Sequence, residues 1–202
     1  MVYYHVISDI PKHEGEHIIL DDQHPNGVHR RVYAHFDEVS DIYEHPEKYD
    51  GITLSHEIKV ALRELALEKI RKEKYPQYPS RMASLYVSKT YEEAERWAEY
   101  FARLGRPTYG IAKIKVSGSS YMGDAYKCFD GTTSEDENLR MADLYWDNSH
   151  NEDGHQPIVE ILVDGDIEVL EIVQVINANV KSFKFQFVGI PVGKEYRKLF
   201  FL

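Results

Sequence analysis

A single cysteine, Cys128, occurs in the 202 residues, which excludes an intrachain disulfide and any all-cysteine metal site and agrees with a reducing compartment. No apolar run approaches the roughly 20 residues of a membrane span, and no basic flank precedes an apolar stretch at the N-terminus. A soluble, cytoplasmic protein without a membrane partner is therefore expected. Positive charge is also in short supply: 24 Lys and Arg stand against 34 Asp and Glu, and the net charge of −10 repels phosphate backbones. The one basic run contains Lys59, Arg63, Lys69, Arg71, Lys72, Lys74 and Arg81. Glu57, Glu64, Glu68 and Glu73 interleave with them at helical pairing distances, which reads as a solvated, self-paired face. Gly-x-Ser-x-Gly, Gly-x-x-x-x-Gly-Lys and Gly-x-Gly-x-x-Gly are all missing, so a nucleophile elbow and the two common nucleotide-binding turns are excluded.

What is present suffices for a full core, since 43% of residues are hydrophobic, and one domain over 1–202 is expected. "VYYHVI" (2–7) reads as a first strand ending at Ser8-Asp9. Residues 10–30 read as loop with at most a short strand at "HIIL", and 31–45 as a short helix ended by Pro46. Ile58, Ala61, Leu62, Leu65, Ala66 and Ile70 align along a helix over 56–74. Next comes a strand around Tyr86. In Thr90-Tyr91-Glu92-Glu93 the threonine and the third-following glutamate satisfy free N–H groups at a helix start, so a helix begins near Tyr91 and covers that strand. Gly105 and Pro107 stop it. "TYGIAKIKV" (108–116) reads as a strand, 117–133 as a loop, and Ser134 with Glu137 as the start of a helix. Strands follow at 158–163, 167–176 and 182–188, the first pair joined by a turn at Asp164-Gly165-Asp166. Helices early and strands late indicate an α+β fold.

"HEGEH" (13–17) matches His-Glu-x-x-His literally, the spacing by which two histidines on one helical face bind zinc beside a glutamate base. Pro11 and Gly15 oppose a helix there, so exposed loop histidines are the better reading and no metal site is assigned. Three polar residues stand instead among apolar neighbours on strands far apart in the chain: His5 in "YYHVI", Tyr86 in "SLYVS" and Glu160 in "PIVEILVDG". An unpaired polar group is costly in such surroundings. A histidine or tyrosine there commonly just finds a hydrogen-bond partner, whereas a glutamate entering an apolar strand points to function or to a sheet edge.

In order and context these segments resemble the His-Tyr-Glu branch of the ADP-ribosyltransferase superfamily, which includes diphtheria toxin and the poly(ADP-ribose) polymerases. "YYHVI" is similar to that family's first strand, "SLYVSKTYEEAERWA" to its strand with tyrosine and following helix, and "VEILVDGDIEVLEI" to its glutamate strand. "PSRMASLYVS", "ADLYW" and "EILV" resemble, more narrowly, an uncharacterised bacterial family of that superfamily. The resemblance spans residues 2–176 and implies split antiparallel sheets with flanking helices, holding NAD in the cleft between them. It implies that His5 bonds a ribose hydroxyl, that Tyr86 stacks on nicotinamide, and that Glu160 stabilises the sugar cation as nicotinamide leaves. Val6 stands where many members have glycine and would present its backbone to the nicotinamide amide; Arg81 has two readings, a pyrophosphate ligand or a structural ion pair. Glu168 and Glu171 are rivals to Glu160, which is preferred for its place at the start of the segment. Tyr145 and Trp146 line either the cleft or the core. The implied activity is transfer of ADP-ribose from NAD to an acceptor that is a protein, a nucleic acid or a small molecule. The alternatives are a non-catalytic NAD- or ADP-ribose-binding module, an RNA 2′-phosphotransferase-like enzyme, and a zinc hydrolase using the loop histidines.

Overall fold

Among the described residues, four strands and three strands form two antiparallel sheets, and five α-helices flank them in an α+β arrangement. A computed structural model describes residues 1–8, 10–149, 151 and 154–176; the strand expected at 182–188 lies outside the described residues. The larger sheet has the order β1-β4-β7-β2, from Val2–Ser8 (β1), Thr108–Ser117 (β4), Gly165–Val175 (β7) and His17–Leu20 (β2). The smaller has the order β3-β6-β5, from Leu85–Val87 (β3), Val159–Val163 (β6) and Ser120–Asp124 (β5). The helices are Gly27–Tyr33 (α1), Phe36–Glu44 (α2), His56–Lys74 (α3), Tyr91–Arg103 (α4) and Glu135–Asp147 (α5). Among the described residues no helix is long and apolar enough to cross a membrane.

Local chemistry accounts for several boundaries. Both halves of the capping box form at α4: the Thr90 hydroxyl accepts from the Glu93 N–H, while the Glu93 carboxylate accepts from the Thr90 N–H. Gly105 follows the helix at φ 74°, where a side chain would be strained. Ser55 caps α3 and Ser134 caps α5 through the serine side chain alone, which accepts from the Ile58 and Glu137 N–H respectively. The expected single helix over 31–45 is two helices. Asn26 caps the first, its side chain accepting from Val28 and His29, so it begins inside what reads as loop. The break at Ala34-His35 lays Val39 and Ile42 on the same apolar cluster as Val28 and Val32.

The segment 117–133 is not all loop, because it contains β5 and a short 3₁₀ turn at Ala125–Lys127. Glycine dilutes the strand pattern there for a steric reason: a Cβ on Gly123 would lie 2.4 Å from the Tyr121 ring. Nor are β6 and β7 a hairpin. They belong to different sheets, so Asp164-Gly165 is a crossover lying against a second crossover at Ser117–Ser119. The Asp164 carboxylate joins the two, accepting from the Ser119 N–H at 2.7 Å and the Ser119 hydroxyl at 2.8 Å.

Strand alternation assigns the faces. Ile7, Ala112 and Ile114 of the larger sheet pack against Val87, Ile161 and Val163 of the smaller, forming a core between the sheets. Tyr86, Leu162 and Tyr121 are cross-strand neighbours on the far side of the smaller sheet, packed on Leu67 of α3 and on Tyr145 and Trp146 of α5. α4 covers Val6 and Ile111 of the larger sheet, so it is α3 and α5, not the following helix, that bury the face carrying Tyr86.

Candidate active site

β1 reaches the smaller sheet at its edge, where Tyr4 and Ser88 exchange main-chain hydrogen bonds at 2.9 and 2.8 Å. His5, next along β1, faces the inter-sheet side and bonds through Nδ1 to the Tyr86 carbonyl at 3.0 Å. A carbonyl only accepts, so Nδ1 carries the proton and neutral His5 offers a lone pair on Nε2. Burial lowers the imidazole pKa to about 4, outweighing the raising effect of the Tyr86 hydrogen bond, and the nearby cations Lys12 and Arg106 lower it further. Because Tyr4 turns its N–H and C=O toward Ser88, away from β4, the period of two turns those of Val6 toward the same edge of β1. There they form a donor and acceptor pair outside the β4 ladder.

Glu160 lies on β6 with its side chain on the Tyr86 face and is 8% exposed. Its Oε1 accepts from Arg81 Nη1 at 2.6 Å and from the Tyr145 hydroxyl at 2.6 Å, and Cys128 Sγ stands 4.0 Å away. Every one of these contacts falls on Oε1; among the described residues Oε2 accepts no hydrogen bond. Arg81, 2% exposed, also bonds Glu64 Oε2 through Nε at 2.9 Å and donates to the Tyr145 hydroxyl at 2.8 Å. Its guanidinium carbon lies 5.5 Å from the Tyr86 ring centroid and 5.1 Å from that of Tyr145. The pyrophosphate role is therefore not available to Arg81 in this arrangement, because its donors already serve two carboxylates. The ion-pair reading is the one displayed.

Glu64 is in turn bonded by Arg63 Nε at 2.9 Å, so Arg63, Glu64, Arg81 and Glu160 form a continuous buried chain of alternating charge. Burial works to raise the Glu64 carboxyl, but the adjacent Arg81 and Arg63 charges outweigh it and hold the group below the usual carboxylate range. This corrects the solvated reading of the basic run. Arg63, Glu64, Glu68 and Arg71 point inward, and Glu68 accepts from Arg71 and from the Ser80 hydroxyl. A signal for the first pair was present: Arg63-Glu64 interrupts the otherwise apolar "VALRELAL", the same kind of interruption that singles out Glu160.

The structure thus brings Tyr86 and Glu160 to one face of the smaller sheet and His5 to its other side, joined to Tyr86 through the main chain. The space between the sheets is packed with apolar side chains, and the Tyr86 ring face turned to Arg81 is closed to any other ring. Burial raises the Cys128 thiol to about 12, which keeps it protonated and unreactive. Glu168 and Glu171 lie on β7 in the other sheet, where Glu168 pairs with Lys115 at 3.6 Å. His13 and His17 occupy a turn and a strand; His17 pairs with Asp166 at 2.7 Å, and among the described residues no three His, Cys, Asp or Glu side chains gather as a metal would require.

The Tyr86 hydroxyl is buried with no hydrogen-bond partner among the described residues, and burial raises its pKa well above the ordinary value. Tyr86→Phe is therefore expected to leave stability unchanged or raise it by about 1 kcal/mol, since it deletes an unsatisfied polar atom. Urea unfolding measures this, and a loss of stability would show that the hydroxyl has a partner such as a buried water.

The fold and site define an α+β protein of two antiparallel sheets whose smaller sheet carries a buried arginine–glutamate network. The chain belongs to the family described as "Protein of unknown function (DUF2441)", whose model matches residues 3–175. No curated protein matches it.

Proposed function

We propose that the protein is an NAD-dependent ADP-ribosyltransferase, cleaving the bond between nicotinamide and ribose and passing ADP-ribose to an acceptor. One observation carries this reading. The Val6 N–H and C=O face the edge of β1 beside His5, and a primary carboxamide such as that of nicotinamide is the complement of such a pair. His5, held by its Nδ1 proton, turns a lone pair on Nε2 to a ribose hydroxyl. In this reading Glu160, steadied at Oε1 by Arg81 and Tyr145, answers the positive charge that grows on the sugar, and because it lies on the opposite side of the smaller sheet from His5, the sheets must part for one NAD to reach both.

A second reading, a non-catalytic NAD- or ADP-ribose-binding module, is favoured by the burial of Glu160 and its pairing with Arg81, which already offsets the charge that catalysis needs. Thermal unfolding with millimolar NAD, run beside an assay of released nicotinamide, separates the two. Stabilisation with release, and release falling on the order of 10²-fold or more in Glu160→Gln while NAD still stabilises that variant, supports the transferase. Stabilisation without release supports the module. Neither effect in well-folded protein ends both readings.

A further inference from the structure

On the opposite face of the two strands that carry Tyr86 and Glu160, α4 and the smaller sheet line a half-open cavity of about 250 Å³. Its floor is Val87, Val159 and Ile161, and Arg96 and Glu99 of α4 line it above. The apolar floor follows from strand alternation: Ile161 and Val159 point away from the network because Glu160 points into it. Residues 96 and 99 fall on one side of α4, three positions apart, where side chains are neighbours. Among the described residues the Arg96 guanidinium and the Glu99 carboxylate make no ion pair with each other or with any other side chain. The other charged lining groups, Glu93 and Arg103, differ in this respect, because Glu93 is tied into the helix cap.

We propose that this cavity binds a free α-amino acid with an apolar side chain. Its carboxylate meets Arg96, its ammonium meets Glu99, and its side chain lies on Val87 and Ile161. One positive and one negative group, set side by side above an apolar floor, complement a zwitterion and leave a simple anion or cation facing a like charge. The volume lies just below the range of drug-sized pockets and suits one small side chain with its two charged groups. This site is independent of the NAD reading, and its test reads binding alone.

The probe is L-phenylalanine, compared by calorimetry and thermal unfolding with phenethylamine, which lacks the carboxylate, and 3-phenylpropionate, which lacks the ammonium. Phenylalanine is expected to bind about tenfold or more tightly than either analogue, the scale of one charge-assisted hydrogen bond. Arg96→Gln should abolish the preference over phenethylamine but keep that over phenylpropionate, and Glu99→Gln should do the reverse. Val159→Phe, at a position 47% exposed and therefore tolerant of size, should block all three ligands without disturbing the fold. The proposal is overturned by an absence of saturable binding in millimolar phenylalanine, by equal affinity for the three probes, or by binding that survives Val159→Phe.

Discussion

Arg81→Leu is expected to lower the unfolding free energy by about 3–5 kcal/mol, because it leaves two buried carboxylates short of a partner. Glu160 would keep the Tyr145 hydroxyl and the distant Cys128 thiol on Oε1, and Glu64 would keep Arg63. Placing leucine at 81 and 160 together removes one positive and one negative charge and leaves Arg63 and Glu64 as a neutral pair. The double variant should therefore be more stable than Arg81→Leu alone, a coupling of the sign that contacting charges give in a double-mutant cycle. Denaturant titration of the wild type, both single variants and the double variant measures it. Additive losses would mean that Arg81 and Glu160 do not depend on each other in the folded protein. The same network bears on the catalytic test: Glu160→Gln withdraws a charge from Arg81, so its stability must be measured beside its activity.

Acid is expected to remove about 3 kcal/mol of stability through His5. The imidazole has a folded pKa of about 4 against an ordinary value of 6.5. The unfolded chain takes up a proton as pH falls through 6.5, and the folded chain refuses it until about pH 4. The neutral form is thus favoured by folding, its contribution is complete above the unfolded value, and it is lost progressively between those two limits. His5→Gln should flatten that part of the stability profile in unfolding measured from pH 7 to 4. Glu64 acts in a lower window, because a carboxylate held below its usual range begins to lose its contribution only as pH drops below about 4.3. A profile unchanged by the His5 substitution would show that the imidazole is solvated in the folded protein.

Much of the secondary structure was legible because its causes are local. Thr90 and Glu93 lie within one turn of each other, and Ile58 to Ile70 carry their period on consecutive turns. The structure departs from the local pattern where the same signal serves two outcomes. Asp164-Gly165 has the chemistry of a hairpin turn, yet here it carries the chain from one sheet to the other, since Gly118 and Gly165 allow the two crossovers to touch. Glutamates between arginines and lysines at helical spacing resemble a solvated face, and only α5 and β6, packed on α3, make Arg63 and Glu64 interior. Of the candidate site, the choice of His5, Tyr86 and Glu160 as polar residues in apolar strands was readable. Their distribution over two faces of one sheet was not.

By itself the sequence determined that α3 and α4 form, where α4 starts and stops, and that Tyr86 and Glu160 stand on short apolar strands, because capping and periodicity act over a few residues. Only the tertiary structure decided which layer each strand face meets and which charge each buried group pairs with. Period two fixes the side of Tyr86 relative to Val87 but not whether that side meets a helix or a sheet, and Arg81 reaches Glu160 across 79 positions of chain. Burial makes such pairings obligatory, and packing between distant segments alone selects the partners.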